Sequence, residues 1–391
     1  MEGEETRKSL NSMVITAQYR PNILMVTARF LPYMGGIETH VHEIGWRLAQ
    51  RGINITILTT MPHEHAALLP QEETVKGMRI VRVPAWPPKR DYYLAPKIAT
   101  VIKQSNWDLV HCQGCHTFVP PLAMLAAKQA HLPYVVTFHT GGHSSLLRNA
   151  LRNTQWRFQG ALLSGASKLI GVSHFEAEYF RRLLHLPKER FTVIYNGATL
   201  PISPSSSFST SPASSQQTLI VSLGRLERYK GHQHIITALP HIRAWRSNAR
   251  LLILGAGPYE AELRSLAQKC GVSPWVDIRA IPPEDRASMA EALSQAALVT
   301  LLSDYESNPV AVMEALALRR PVLATDSSGF KELAELGWIR TIPLRSSAAD
   351  IAYAVQQQIE DPLMPATNLI LPSWDGCAEQ LRQVYQAIIK G

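Results

Sequence analysis

Glu306 and Glu314 stand eight residues apart in DYESNPVAVMEALALRRPVLATDSSG, either side of the point where a polar loop turns into a helix. In one unbroken helix, at ~100° per residue, they would be turned about 80° away from each other. With Glu306 in the loop and Glu314 about one turn into the helix, both border one pocket. Between them the backbone N–H groups of Asn308, Val310 and Ala311 lead out of the helix start, where unpaired donors and the helix dipole favour a phosphate. Pro309 takes the first helical position, where a missing N–H costs nothing. Arg225 and Lys230 bracket a second polar loop, GRLERYKG. His139 ends the run YVVTFHT just before Gly141-Gly142, from where it can reach into a central cleft. Gly35-Gly36, between a strand and a helix, let a ligand approach the backbone closely. His111, Cys112, Cys115 and His116 are the right residue types for zinc or thiol chemistry. They lack a second paired cluster, so the stretch reads better as a loop bordering the cleft. Any one of these features alone has an ordinary structural explanation.

The elements that must position them alternate. Short apolar runs read as buried strands at 22–28, 53–59, 79–83, 108–111, 134–138, 168–172 and 191–194, and again at 218–223, 251–254, 276–281, 298–302 and 321–325. Helices fall between them. Ile37, Val41, Ile44 and Leu48 recur at helical spacing before Gly52, and 309–318, 350–360 and 375–390 carry similar patterns. Ser173 with Glu176 matches a capping box. Strand–helix alternation predicts parallel doubly wound sheets, which take ligands beyond the carboxyl ends of their strands. Gly255-Ala256-Gly257 lacks the third glycine of a dinucleotide fingerprint, which argues against a nicotinamide cofactor.

The chain has 391 residues, enough for two domains, with 46% hydrophobic and 18% charged residues and a net charge of +8. That basic balance favours anionic partners, and no helix-turn-helix, RNP-like or zinc-finger pattern points to nucleic acid. No apolar run approaches the ~20 residues of a membrane-spanning helix. Four cysteines make no disulfide framework at this length. Residues 1–20 lack the apolar core of a secretory signal and read as a flexible tail, with Met13 an alternative start and a cytoplasmic location expected. A domain over 21–199, a Ser/Pro-rich linker over 200–217, a second domain over 218–365 and a closing helical segment over 366–391 complete the division. Residues 144–170 carry Arg148, Arg152, Arg157 and Lys168 with no Asp or Glu, a composition for lying on an anionic membrane surface or for lining an acceptor cleft.

Glu-x7-Glu within its strand–loop–helix frame, together with GRLERYKG, TFHT, LPYMGGIE and the Tyr195-Asn196-Gly197 turn, resembles the retaining nucleotide-sugar glycosyltransferases of family 4. The resemblance covers nearly all of 22–390 and implies the GT-B fold: two Rossmann-like doubly wound parallel-sheet domains facing across a cleft, the last helix returning to the first domain. By it, His139 and Glu306 are catalytic, and Glu306, Ser307 and Asn308 surround the donor sugar. Gly36, Arg225, Lys230, Pro309 and Val310 hold the diphosphate, while Glu314 binds the ribose and Ile281 the base. One departure is Ser328-Gly329, where members often carry a glycine pair. The implied partners are a nucleotide-sugar donor (UDP-glucose or UDP-N-acetylglucosamine ahead of GDP-mannose) and a glycan or lipid-linked acceptor. No cofactor is expected, and no Asp-x-Asp pair suggests a metal: Arg225, Lys230 and the helix start supply the positive potential. Two lobes on a linker are expected to close on the donor. A catalytically silent nucleotide-sugar-binding protein, or a GT-B epimerase or inverting transferase, are the rival readings.

Overall fold

A computed structural model describes residues 19–33, 35–62, 68–86, 94–140, 154, 156, 159–198, 217–282, 285–366 and 370–390. The N-terminal tail up to residue 18, Gly141-Gly142, Arg148, Arg152, Arg157 and nearly all of the Ser/Pro-rich linker lie outside the described residues.

The first lobe is built on eight strands: β1 (Asn22–Val26), β2 (Asn54–Thr60), β3 (Glu72–Val75), β4 (Met78–Val83), β5 (Leu109–Gln113), β6 (Tyr134–Thr137), β7 (Lys168–Gly171) and β8 (Phe191–Val193), in the order β3-β4-β2-β1-β5-β6-β7-β8. The apolar runs at β5 and β6 are buried along their whole length, as strands covered on both faces must be. One strand departs from the all-parallel expectation. β3 runs antiparallel to β4 through a tight turn at Lys76-Gly77, where both residues adopt positive φ (49° and 81°), the geometry of a two-residue hairpin. Its sequence, EETV, carries a single apolar residue and lies at the sheet edge, so no apolar run announced it.

The second lobe has six strands, all parallel: β9 (Thr218–Leu223), β10 (Ala249–Leu254), β11 (Val276–Arg279), β12 (Leu298–Leu301), β13 (Val322–Thr325) and β14 (Arg340–Ile342), in the order β11-β10-β9-β12-β13-β14. The strand order reverses between β9 and β12 here, and between β1 and β5 in the first lobe. A crevice opens at such a reversal. The loops leaving these four strands carry Arg225 and Lys230, Glu306, Gly35-Gly36 and Cys115-His116 respectively. Topology alone therefore brings most of the candidate residues to two facing crevices.

Helices cover the sheets: α1 (Gly36–Gln50), α2 (Lys97–Gln104), α3 (Val119–Gln129), α4 (Gly160–Ser164) and α5 (His174–Leu184) belong to the first lobe. In the second are α6 (His232–Trp245), α7 (Glu260–Lys269), α8 (Arg286–Ser294), α9 (Val310–Ala317), α10 (Ser328–Glu335) and α11 (Ala348–Glu360). The last helix, α12 (Trp374–Lys390), goes back to the first lobe: Trp374, Cys377, Leu381 and Tyr385 share a core with Ile23, Met25, Val41 and Ile44. Asp375 at its start accepts from Arg47 and Arg51 of the α1 region at 3.2 and 2.7 Å. A Cβ on Gly197 would sit 2.1 Å from the Trp374 nitrogen, so a glycine is needed where the two segments cross. Close backbone approach also explains Gly255 and Gly257, whose Cβ atoms would meet the carbonyls of Gly224 and Leu226 at 1.9 and 2.4 Å.

Candidate active site

At the centre of the second lobe's crevice, the Glu306 carboxylate pairs with Lys230 Nζ. Lys230 ends the short 3-10 turn Arg228–Lys230 after β9, and Glu306 lies in the loop after β12, so neighbouring strands bring the two together. Burial pushes the Lys230 ammonium down, but Glu306 and Tyr229 outweigh it and hold the pKa above its ordinary value. The Glu306 loop is fixed by its backbone. Its N–H donates to Ser328 Oγ at 2.8 Å, and its carbonyl accepts from Ser328 Oγ at 2.6 Å and from the Gly329 N–H at 2.8 Å. A Cβ on Gly329 would lie 1.6 Å from the Ser307 carbonyl oxygen. Of the glycine pair common in the resembled family, this chain keeps the one whose side chain has no room. Ser328, in the left-handed region at φ 45°, uses its hydroxyl to tie the loop instead.

The helix after this loop begins one residue later than expected. Pro309 is the N-cap of α9, and its carbonyl receives the Val312 and Met313 N–H groups at 3.0 and 3.4 Å. Having no N–H, Pro309 cannot donate to a phosphate, which corrects its assignment as a diphosphate ligand. The donors that α9 turns outward are those of Val310 and Ala311. Ser307 and Asn308 also differ from expectation in where their side chains go. Ser307 Oγ lies 2.9 Å from the Thr140 carbonyl, and Asn308 Nδ2 donates to the Val172 carbonyl at 2.8 Å. Both side chains face the first lobe, so what they present to the crevice is backbone.

Glu314, one turn into α9, is buried and paired with Arg286 at the start of α8. Burial pushes its carboxyl up, and Arg286 draws it back. Sequence reasoning missed Arg286, which follows an irregular loop and meets Glu314 only once β10 and β9 are placed between β11 and β12 in the sheet. Ile281, two residues beyond β11, is half-buried against the second lobe's core at the head of that loop. Arg225 is exposed and steadied by Tyr229, whose hydroxyl accepts from Nη2 at 2.9 Å. Across the cleft, Glu38 of α1 feels both Arg29 and Arg225, which oppose the rise that burial imposes on its carboxyl. Gly36, the first residue of that helix, is exposed, and a Cβ added there would meet open space.

His139 sits at the carboxyl end of β6 with φ 63°, an uncommon conformation for a non-glycine residue. Its Nε2 lies 2.8 Å from Gln113 Oε1, so Nε2 carries the proton and Nδ1 keeps the lone pair. The ring packs edge-on to His40 at 4.5 Å. Burial, then His40, His111 and His116, hold its pKa well below the ordinary histidine range, so the ring is neutral. The zinc or thiol reading of the neighbouring stretch finds no support. Cys112 and Cys115 are buried in the first lobe's core, and His111 is held between Tyr385 and Thr137 at 2.6 and 2.7 Å. Among the described residues no group of three or more His, Cys, Asp or Glu is placed to hold a metal ion.

Two loops of the second lobe carry the Glu306–Lys230 pair and the open start of α9, and the loop bearing His139 belongs to the other Rossmann-like lobe. The family model described as Glycosyltransferase Family 4 matches residues 34–200, and that described as Glycosyl transferases group 1 matches 206–369. The chain belongs to the family 4, group 1 glycosyltransferases. Glycogen synthase of Mycobacterium tuberculosis is 25% identical to this glycosyltransferase over 404 residues, covering 94% of this chain and 95% of its own. A D-inositol 3-phosphate glycosyltransferase of Xylanimonas cellulosilytica is 28% identical over 329 residues, 76% of either chain. Among solved structures, sucrose-phosphate synthase from Thermosynechococcus elongatus superimposes with a TM-score of 0.77 at 21% identity, over 95% of this chain and all of its own (100%). Anabaena HepE in complex with UDP-glucose superimposes at 0.67 with 20% identity, covering 94% and 98%. The fold of this glycosyltransferase is thus GT-B, and no helix among its described residues is long and apolar enough to cross a membrane.

Proposed function

We propose that the enzyme transfers a hexose from a UDP-sugar to an acceptor hydroxyl with retention of configuration and without a metal ion. The observation that carries this reading is the Glu306–Lys230 pair beside the open start of α9, with Glu314 one turn further on. Lys230, Arg225 and the Val310 and Ala311 N–H groups converge where a diphosphate would lie, and they stabilise the charge that develops on it as the glycosidic bond breaks. Glu314, held by Arg286, has an oxygen left to accept from ribose hydroxyls. Glu306 orients the sugar hydroxyls. His139, neutral and with its tautomer set by Gln113, offers a polar edge to sugar and phosphate without adding charge. The resemblance to retaining members of the family supports retention. UDP is the donor base we favour, since UDP and UDP-glucose occupy the HepE structures of the same fold. The acceptor is a glycan, a polyol or a lipid-linked polyol, the range that the relatives' names suggest.

A thermal-shift series with UDP, GDP, ADP and their common sugar conjugates, with and without EDTA, tests the donor. At about 100-fold its dissociation constant a ligand adds ~2.7 kcal/mol of stability, an easily visible shift. A response selective for UDP and its sugars and unmoved by EDTA is expected; a response to no nucleotide overturns the proposal. Slow release of UDP from the donor without acceptor distinguishes this enzyme from a protein that only binds nucleotide sugars.

A further inference from the structure

Glu176 was noticed in the sequence only as the acidic end of a capping box, and the structure assigns it elsewhere. Ser173 does cap α5, its Oγ receiving the Glu176 N–H at 3.2 Å. The Glu176 carboxylate does not return to Ser173. It is fully buried at the junction of the lobes and accepts from the Thr140 N–H at 2.6 Å, Thr140 Oγ1 at 2.6 Å and the Val172 N–H at 2.9 Å. Its fourth partner comes from the other lobe: Ser307 Oγ lies 3.0 Å from the oxygen that Thr140 binds, and 2.5 Å from Thr140 Oγ1. Tyr305 adds a contact from the same loop, its hydroxyl 3.1 Å from Thr140 Oγ1 and its ring edge-on to Phe175 at 6.0 Å.

The neighbours of these partners give the arrangement its meaning. Thr140 directly follows His139, and Ser307 directly follows Glu306. One buried carboxylate therefore joins the two loops that carry the groups facing the donor sugar from opposite lobes. Burying a carboxylate is costly, and it is tolerated only where several donors converge on it. A solvent-facing capping box would have closed α5 at a smaller cost.

We infer that Glu176 is a positioning residue for glycosyl transfer, setting His139 of the first lobe and Glu306 of the second in register through Thr140 and Ser307. This rests on the reading of His139 and Glu306 given above. Apart from Gly36 of α1, the diphosphate and ribose groups belong to the second lobe, so loss of the pin leaves most of the nucleotide site in place and misplaces the reacting groups. A misplacement of about 1 Å costs on the order of 100-fold in rate.

Glu176→Gln keeps the shape but turns an amide N–H₂ toward groups that are themselves donors. Its turnover of the UDP-sugar is expected to fall on the order of 100-fold, while the UDP dissociation constant measured by calorimetry stays within about threefold. Combining it with Ser307→Ala should lower turnover no further, because the two act as one unit. Should Glu176→Gln fail to fold, Thr140→Val tests the same link with both carboxylate oxygens intact. Wild-type turnover in a folded Glu176→Gln or Thr140→Val, or a loss of UDP binding as large as the loss of turnover, overturns the proposal. If the wild-type chain itself does not turn over a donor, it is the functional reading that fails. The pin is then read from spin labels on α1 and α11: a sharp lobe-to-lobe distance that broadens in Glu176→Gln supports it, and an unchanged distribution overturns it.

Discussion

Arg286 and Glu314 form a pair whose two members answer to different forces. Glu314 is buried in a place that favours its neutral form, with Glu43 of α1 adding to the push, and Arg286 opposes them in favour of the ionised form, which in the proposed function accepts ribose hydroxyls. Glu314→Ala should weaken UDP binding by about 1–3 kcal/mol, the scale of charge-assisted hydrogen bonds lost from a buried site. Arg286→Met leaves the carboxylate in place but without its cation, so its pKa climbs further. Protonation then removes the acceptor, and UDP affinity should fall more steeply than in the wild type as pH drops from 7.5 to 5.5. Parallel pH profiles by calorimetry would show that Arg286 does not act through Glu314. His139 has the opposite character. Held neutral well below its ordinary range, it cannot contribute a titration to turnover near neutral pH. His139→Ala is expected to lower kcat while the UDP dissociation constant changes little, and equal losses in both would place the ring in ground-state binding.

Elements set these side chains, and some were readable while others were not. The strands around Glu306 stood out because both are continuous apolar runs, and Glu314 one turn into a helix follows from spacing. Pro309, with its missing N–H, was legible as a helix start but not as the N-cap that leaves Val310 the first helical residue, a distinction that turns on one position. Glu176 was hidden because a capping box and a cross-lobe carboxylate look the same in one dimension. β3 was hidden because its hairpin depends on positive φ at Lys76 and Gly77 rather than on apolar residues. Gly329 stands where α10 meets the Glu306 loop, and Gly329→Ala forces Cβ against the Ser307 carbonyl. The loop must move, so donor turnover should be nearly abolished; an alanine variant with unchanged turnover would mean the loop position is unimportant. In the first lobe, α12 braces β5 through Tyr385 and His111. Burial there drives the His111 pKa down to about 3 from an ordinary 6.5. Between those two values the unfolded chain binds the extra proton. The stability this residue permits is therefore complete above pH 6.5 and falls as pH decreases toward 3, by ~1.4 kcal/mol per pH unit. His111→Gln should lose that share of the acid slope in urea unfolding at pH 7 and pH 5, and identical slopes would count against the assignment.

For the whole molecule, length and strand–helix alternation were enough for two domains with parallel doubly wound sheets, because each lobe obeys rules local in sequence, while the facing lobes and the returning last helix came from the family resemblance. How the lobes meet was not legible, because it depends on pairs more than a hundred residues apart. Glu332 of α10 reaches the exposed start of α5, accepting from the His174 and Phe175 N–H groups at 3.2 and 2.9 Å and from the Tyr195 hydroxyl. A carboxylate at a helix N-terminus is favourably placed, and here it comes from the other lobe. Asn196 Nδ2 donates to the Asn308 carbonyl at 2.8 Å beside it. Closure of two lobes on a linker is expected on donor binding, and these contacts join the lobes through protein groups alone. Glu332→Ala removes a carboxylate shared by three donors and should let the lobes separate. Small-angle scattering is then expected to give a larger radius of gyration for the ligand-free variant than for the wild type, and UDP-sugar should restore much of the difference. The wild type should change little on adding donor, since the contacts that join its lobes are made by protein groups. Equal radii for variant and wild type would mean that Glu332 does not hold the lobes. Compaction of the wild type by donor would mean that its resting state in solution is more open than the arrangement seen here, with closure still to be driven by the nucleotide sugar.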